Sequence, residues 1–238
     1  MLKSKTALAV SALLFLAVET FLGIRFQTGD HGGILRYISI IAACLFCALY
    51  AESSWAYRLT QLGLLLTLCA DWFLVLPPSP RQLPGMLFFL PAQLAYAGRL
   101  YLAETRPGRR KWQIILRASM SVCAVLATIL VLGWSTDAVA VLSMLYYVHL
   151  ILNAVFAYIQ FPAEGLLAVG FTLFILCDTL VGLSFLDGYF TIAEDSRIHR
   201  VIHPSFDLAW AFYLPSQMLL AASLLPSRWS SAAPSSGP

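Results

Sequence analysis

Two aspartates, Asp71 and Asp178, lie inside long apolar segments, and a third acidic residue, Glu19, lies in another. An ionisable side chain in a membrane helix costs at least about 2.5–3.5 kcal/mol on insertion scales, so such residues usually face a bundle interior and carry a function. Two carboxyl groups in a low-dielectric interior can divide acid and base roles, because one stays protonated while the other ionises. Asp71 and Asp178 are therefore candidate catalytic residues. Glu19 is either a third member of this set or a side chain that extends toward the membrane interface.

The composition indicates an all-α, polytopic membrane protein. Apolar residues make up 60% of the chain and charged residues 11%, and the mean hydropathy is +0.79. Soluble domains carry about a quarter of charged residues, and one membrane span takes about 20 residues, so 238 residues accommodate about eight spans. The predicted spans are 6–26, 35–51, 57–76, 84–103, 112–133, 138–159, 166–185 and 206–225. We expect one transmembrane domain over residues 1–228 and a disordered tail over residues 229–238.

The basic residues indicate how the chain is oriented. With the amino terminus inside, ten of them lie on the inner side (Lys3, Lys5, Arg58, Arg99, Arg106, Arg109, Arg110, Lys111, Arg117, Arg228) and five on the outer side (Arg25, Arg36, Arg81, Arg197, Arg200). Cytoplasmic loops are enriched in Lys and Arg, so both termini are predicted to be cytoplasmic. The net charge of +3 is thus a topology signal, and no nucleic-acid partner is expected. A bacterial inner membrane and a eukaryotic endoplasmic reticulum both fit. The oligomeric state stays open, with a homo-oligomer as one alternative.

Polar residues from many predicted spans converge at one depth. Glu19, Asp71 and Asp178 each precede the outer end of an outward-running span by five to seven residues, which is roughly 8–11 Å. Residues at similar or slightly greater depth are Tyr213, Gln217, Trp210, Gln93, Tyr96, Tyr146, His149 and Asn153, with Arg36 at an outer helix end and Asp207 at a helix start. A polar cavity open to the outer side would explain this convergence. For Gln93, His149 and Asn153, interhelical hydrogen bonds that hold the bundle together explain it equally well.

Four segments resemble a known family in their order and spacing. They read LGLLLTLCADWFLVLP over residues 62–77, GMLFFLPAQLAY over 85–96, GFTLFILCDTL over 170–180 and YLPSQ over 213–217. Together they are similar to the signature segments of the YhhN-type transmembrane lysoplasmalogenase family, whose eight-helix layout also fits the chain. The sequence departs from the family pattern at Ala70 (usually glycine), Gln93 (often histidine), Cys177 (usually serine) and the pair Arg36-Tyr37 (commonly Lys-Pro).

The resemblance implies a hydrolase that cleaves the vinyl ether bond of a lysoplasmalogen, a lysophospholipid taken from the surrounding membrane lipids. It implies that Asp71 and Asp178 form the catalytic pair. Tyr213 and Gln217 would orient water or the glycerol oxygens, and Arg36 would bind the headgroup phosphate. Gln93 and Tyr96 would support the site.

Two other functions remain open from the sequence. Intramembrane carboxylates also mark ion pathways, so a small-solute or proton-coupled transporter or channel is one alternative, with Pro91 and Pro215 as hints of broken helices. A catalytically inactive, lipid-binding relative is the other. The five cysteines lie in apolar segments without metal-ligand spacing, so we expect no metal and no other cofactor.

Overall fold

The computed structural model describes residues 32–49, 54–77, 79–161, 163–185, 188–190 and 208–224. The predicted span 6–26 with Glu19, the residue Asp207 and the tail 229–238 lie outside these ranges. The described residues form α1 (Gly32–Leu49), α2 (Trp55–Leu74), α3 (Gln82–Ala103), α4 (Pro107–Leu132), α5 (Ala138–Ile159), α6 (Gly165–Ser184) and α7 (Leu208–Ala222). A short 3₁₀ helix, Gly133–Ser135, follows α4. Because these residues contain only helices and no strand, the all-α fold class is confirmed for the described part of the chain.

Three segments are long and apolar enough to cross a membrane by length and composition: Pro107–Ser135, Ala138–Ile159 and Gly165–Ser184. Two shorter apolar helices are Arg36–Leu49 and Leu208–Ala222. Helices α2 and α3 have 20 and 22 residues, but they carry more polar side chains. Those polar side chains lie largely inside the protein, as expected for a membrane bundle whose ionisable groups avoid lipid.

The helix ends follow local sequence signals. Helix α4 begins five residues before the predicted span 112–133, because Pro107 stands in its first turn, where a missing backbone N–H costs nothing. Gly133 ends the helix with a φ of +55°, a conformation that favours glycine. Asp137 caps α5, since its carboxylate accepts a hydrogen bond from the backbone N–H of Ala140.

Five helices form a closed ring. Around it, α2 contacts α3, α3 contacts α5, α5 contacts α6, α6 contacts α7, and α7 returns to α2. Helix α1 packs outside the ring against α2 and α7, and α4 packs against α5. The core fills the ring, where the buried rings of Tyr96 and Phe171 meet edge to face at 5.4 Å.

Two prolines lie inside ring helices without ending them. Helix α3 continues through Pro91 and α7 continues through Pro215. A proline inside a membrane helix is tolerated where neighbouring groups or local backbone adjustments satisfy the freed backbone carbonyl. The broken helices that would have supported a transporter are therefore not found in the described parts of α3 and α7.

The contact between α2 and α3, the most extensive of the bundle, depends on the absence of a side chain at Gly63. A Cβ atom at this position would lie 2.5 Å from the ring of Tyr96, whose side chain is fully buried. A side chain at residue 63 would force the buried ring or one of the helices to shift, so the two helices approach this closely only because residue 63 is a glycine.

We predict that Gly63→Ala lowers the free energy of unfolding by about 1–3 kcal/mol, the usual cost of overpacking a core. The matched control is Gly182→Ala in α6, where a Cβ would meet nothing within 4 Å. Because alanine is the better helix former, this control should be neutral or stabilising. Thermal unfolding of both variants in detergent measures the difference, and equal midpoints would contradict the close packing at Gly63.

Candidate functional site

Asp71 lies in the last turn of α2 and is held by a tyrosine from another helix. Its side chain is almost fully buried, and the hydroxyl group of Tyr213 on α7 donates a hydrogen bond of 2.6 Å to its Oδ2 atom. A buried carboxyl group without a partner would be strongly unfavourable. The tyrosine therefore makes this aspartate tolerable inside the bundle and also fixes the direction of its carboxyl group.

Asp178 repeats this arrangement on the other side of the ring. It lies on α6, and the hydroxyl group of Tyr146 on α5 donates a short hydrogen bond to its Oδ2 atom. Tyr146 is buried, whereas Asp178 is partly exposed. Of the two carboxyl groups, that of Asp178 is thus the more accessible from outside the described bundle.

Phe174 lies between the two aspartate–tyrosine pairs. Its ring centroid is 5.3 Å from that of Tyr213 and 6.4 Å from that of Tyr146, and Tyr146 in turn contacts Phe89 at 5.2 Å. Phe174 is one turn from Asp178 on the same helix. The two aspartates therefore belong to one site with an aromatic centre.

A cation and further aromatic rings lie next to this site toward the start of α1 and α7. The guanidinium carbon of Arg36 lies 4.9 Å above the ring of Trp210, whose ring meets that of Tyr213 at 4.8 Å. A chain of two aromatic contacts thus joins Arg36 to the tyrosine that holds Asp71. Arg36 thus lies next to the aspartate–tyrosine pair of Asp71, and its predicted place at the outer mouth stays a prediction.

A layer of buried polar side chains lies one helical turn from the aspartates, toward the end of the bundle that holds Arg99. We call it the polar layer, and it consists of Thr67, Gln93, Tyr96, Asn153 and Gln217, each with 0% exposure. Asn153 donates to Oε1 of Gln93 at 2.9 Å and to its backbone carbonyl at 3.0 Å, which joins α5 to α3. The predicted interhelical hydrogen bonds therefore exist for Gln93 and Asn153.

Each residue of the polar layer keeps a polar atom without a hydrogen-bond partner among the described residues. These atoms are Oγ1 of Thr67, Nε2 of Gln93, the hydroxyl of Tyr96, Oδ1 of Asn153 and Oε1 of Gln217. The hydroxyl groups of Thr67 and Tyr96 lie near each other, but they form no aligned hydrogen bond. A buried polar group left unsatisfied costs about 1–3 kcal/mol, so five in one layer would offset much of a protein's stability.

The opposite end of the ring is closed by Arg99. This buried side chain of α3 forms a salt bridge of 2.8 Å with Glu164 and donates hydrogen bonds to the hydroxyl oxygens of Thr60 (2.9 Å) and Ser223 (2.8 Å). Beyond its predicted role as a topology signal, Arg99 thus joins the ends of α2, α3 and α7 to the turn before α6. It lies away from the aspartates, because Thr60 is eleven residues before Asp71 on α2.

The sequence assigned no special role to Tyr146, although the distances of Tyr146 and Asp178 from the turn between α5 and α6 indicate that the two residues lie at the same level. Tyr146 lies thirteen residues before Ile159, the end of α5, and Asp178 lies thirteen residues after Gly165, the start of α6. Two antiparallel helices joined by a tight turn bring such residues to the same level. His149, from the same predicted stripe, instead contacts Ser121 of α4 at 3.2 Å, and Glu19 lies outside the described residues.

Comparison with known proteins matches residues 33–224 to the YhhN family. Neither the curated proteins nor the solved structures contain a match to this chain. The matched region includes both aspartates, both tyrosines and the whole described ring.

We predict that Tyr146→Phe lowers the free energy of unfolding by about 1–3 kcal/mol, because the carboxyl group of Asp178 loses the hydrogen bond that the buried Tyr146 hydroxyl donates to it. The neighbouring Tyr147→Phe is a matched control on the same pair of helices, since the Tyr147 hydroxyl contacts Thr179 at an exposed position. Its expected effect is about 0.5 kcal/mol or less. Thermal unfolding in detergent compares the two, and equal losses would contradict a special role for the Tyr146–Asp178 hydrogen bond.

Proposed function

Because the chain belongs to the YhhN family, we propose that it is an intramembrane hydrolase that cleaves the vinyl ether bond of lysoplasmalogens. The products are a fatty aldehyde and a glycerophospho-base. The observation that carries the proposal is the pair of aspartates, Asp71 buried and Asp178 partly exposed, each held by a tyrosine from another helix on either side of Phe174. This arrangement provides two carboxyl groups of fixed direction in an apolar interior.

The proposed reaction begins with proton transfer to carbon. One aspartate, in its protonated form, donates its proton to the β-carbon of the vinyl ether, and the double-bond electrons form the new C–H bond. The resulting oxocarbenium ion is stabilised by the other, ionised aspartate, as in glycosidases that use two carboxyl groups. The ring of Phe174 lies between the pairs and can add a cation–π interaction.

Water completes the reaction. Its oxygen bonds to the cationic carbon, and its proton restores the aspartate that donated one in the first step. The hemiacetal formed in this way separates into an aldehyde and the free glycerol hydroxyl group. Asp71 and Asp178 share these roles in the proposal, and Tyr146 and Tyr213 act as positioning residues because they hold the carboxyl groups.

The substrate is proposed to approach from the outer half of the membrane. A single-chain lipid can keep its tail between helices while its headgroup reaches the polar site from the interface. Arg36 and Trp210 lie on that side, and the guanidinium group suits a phosphate. Gln217, Gln93 and Tyr96 lie on the other side of the aspartates, where only the glycerol oxygens or water would reach them.

The proposed topology has eight spans with both termini cytoplasmic. It consists of one transmembrane domain over residues 1–228 with a C-terminal tail, in a bacterial inner membrane or the endoplasmic reticulum. The three long apolar segments and the two shorter ones support part of this count. The proposed partners are membrane lipids and the lysophospholipid substrate, with no nucleic acid.

We predict that the purified protein in detergent releases aldehyde from a lysoplasmalogen but not from the matching ester-linked lysolipid, since an ester has no vinyl ether carbon to protonate. Asp71→Asn and Asp178→Asn should each lower the rate by about 10²–10⁴-fold, the usual contribution of acid–base catalysis. The matched control is Asp137→Asn, because this exposed helix cap lies outside the site and asparagine caps equally well.

Aldehyde release should therefore survive in Asp137→Asn at the wild-type rate. No aldehyde from the wild-type protein would contradict the proposed activity and favour the inactive, lipid-binding relative. Undiminished release from either aspartate variant would instead remove that residue from the catalytic pair.

A further inference from the structure

We propose that the polar layer is an internal water-binding site that supplies the hydrolytic water to the aspartate pair. The water site itself follows from the buried polar atoms, and the delivery of hydrolytic water rests on the proposed function.

The polar layer lies directly inward of the aspartates. Helices α2 and α7 run antiparallel, because Asp71 meets Tyr213 at one level while Thr60 and Ser223 both contact Arg99 at another. Moving one turn from the upper level toward the lower one leads to Thr67 on α2. The same step on α7 leads to Gln217, four residues after Tyr213.

Helices α3 and α5 complete the layer at this depth. Tyr96 packs against Gly63, one turn before Thr67 on α2. Gln93 is one turn from Tyr96 on α3 and holds Asn153 of α5. Four helices of the ring therefore contribute to one buried layer.

The unpaired atoms match water and no charged ligand. Nε2 of Gln93 is a donor, Oδ1 of Asn153 and Oε1 of Gln217 are acceptors, and the hydroxyls of Thr67 and Tyr96 can do either. None carries a formal charge, so neither a phosphate nor a metal ion would be balanced there. A buried water commonly makes two to four hydrogen bonds to such groups, and this mixture of donors and acceptors provides them.

The layer is also within reach of the reaction. One helical turn separates Thr67 from Asp71, an axial distance of about 6 Å. A short chain of water molecules would span this distance to the oxocarbenium carbon. When one water adds to that carbon, its proton passes to the aspartate, and the next water of the layer replaces it. The outer half is then left free for the lipid headgroup.

Hydroxyl-radical footprinting of the full-length protein in detergent tests the water site without using activity. Radicals generated from bound water label the side chains beside it, even inside a protein. We expect labelling at Tyr96 and none at Phe171, which is equally buried and packs against it. Thr67→Val and Gln217→Leu should lose the Tyr96 labelling.

The matched control is Thr128→Val on α4. Its hydroxyl is also buried, but it is bonded to the backbone carbonyl of Ala124, so its removal should leave the labelling and the activity unchanged. In the aldehyde assay, Thr67→Val should lower kcat by about tenfold, the loss of about one hydrogen bond, with KM unchanged. If Thr67 had only a structural role, its replacement would not lower kcat while leaving KM unchanged.

The proposal is wrong if Tyr96 stays unlabelled and Thr67→Val raises the unfolding temperature. Both results are expected if the polar layer holds no water, because the substitution then removes an unsatisfied buried hydroxyl. Labelling of Tyr96 in a protein that releases no aldehyde would contradict the proposed function but would still support the water site. Labelling together with an unchanged kcat in Thr67→Val would overturn the delivery of water from this layer.

Discussion

A carboxyl group inside an apolar helix bundle needs a hydrogen-bond donor, and its own helix has none to offer, because the backbone N–H groups are already used. In this protein both donors are tyrosines from neighbouring helices. Tyr213 joins α7 to α2 at Asp71, and Tyr146 joins α5 to α6 at Asp178. The same two contacts hold four of the five ring helices at one level. The same two hydrogen bonds therefore stabilise the carboxyl groups of the site and help to close the ring.

The protein separates its charges along the ring axis. Arg99 and Glu164 neutralise each other at one end of the ring, where the guanidinium group reaches three helix termini. Toward the other end lie two carboxyl groups that accept hydrogen bonds from uncharged phenols. Between the ion pair and the carboxyl groups lies the polar layer, which carries dipoles and no charge. The two carboxyl groups are thus kept apart from the ion pair.

The sequence predicted the described helices, and the shared level of Asp71 and Tyr213, because length and apolarity determine where each helix begins and ends. The ring helices α2, α3, α5 and α6 were each located to within a few residues. The hydrogen-bond partners of the aspartates were harder to predict, because the contacts of a side chain depend on the rotation of its helix about its axis and on which helices are neighbours. Tyr146 was therefore noticed as polar but not as the donor to Asp178. The burial of Arg99 against Glu164 also depends on tertiary packing, and the sequence predicted only a topology role for Arg99.

The contacts of Arg99 determine when, during synthesis of the chain, the bundle can close. Ser223 follows Arg99 by 124 residues, and Glu164 follows it by 65. At a synthesis rate of about 5–20 residues per second, the ribosome needs about 6–25 seconds to produce the last of these acceptors. During that interval Arg99 belongs to a bundle that lacks two of its hydrogen-bond partners. The ring is completed only when α7 has packed against α2 and α6, and because α7 carries Tyr213, the hydrogen bond to Asp71 also forms only then.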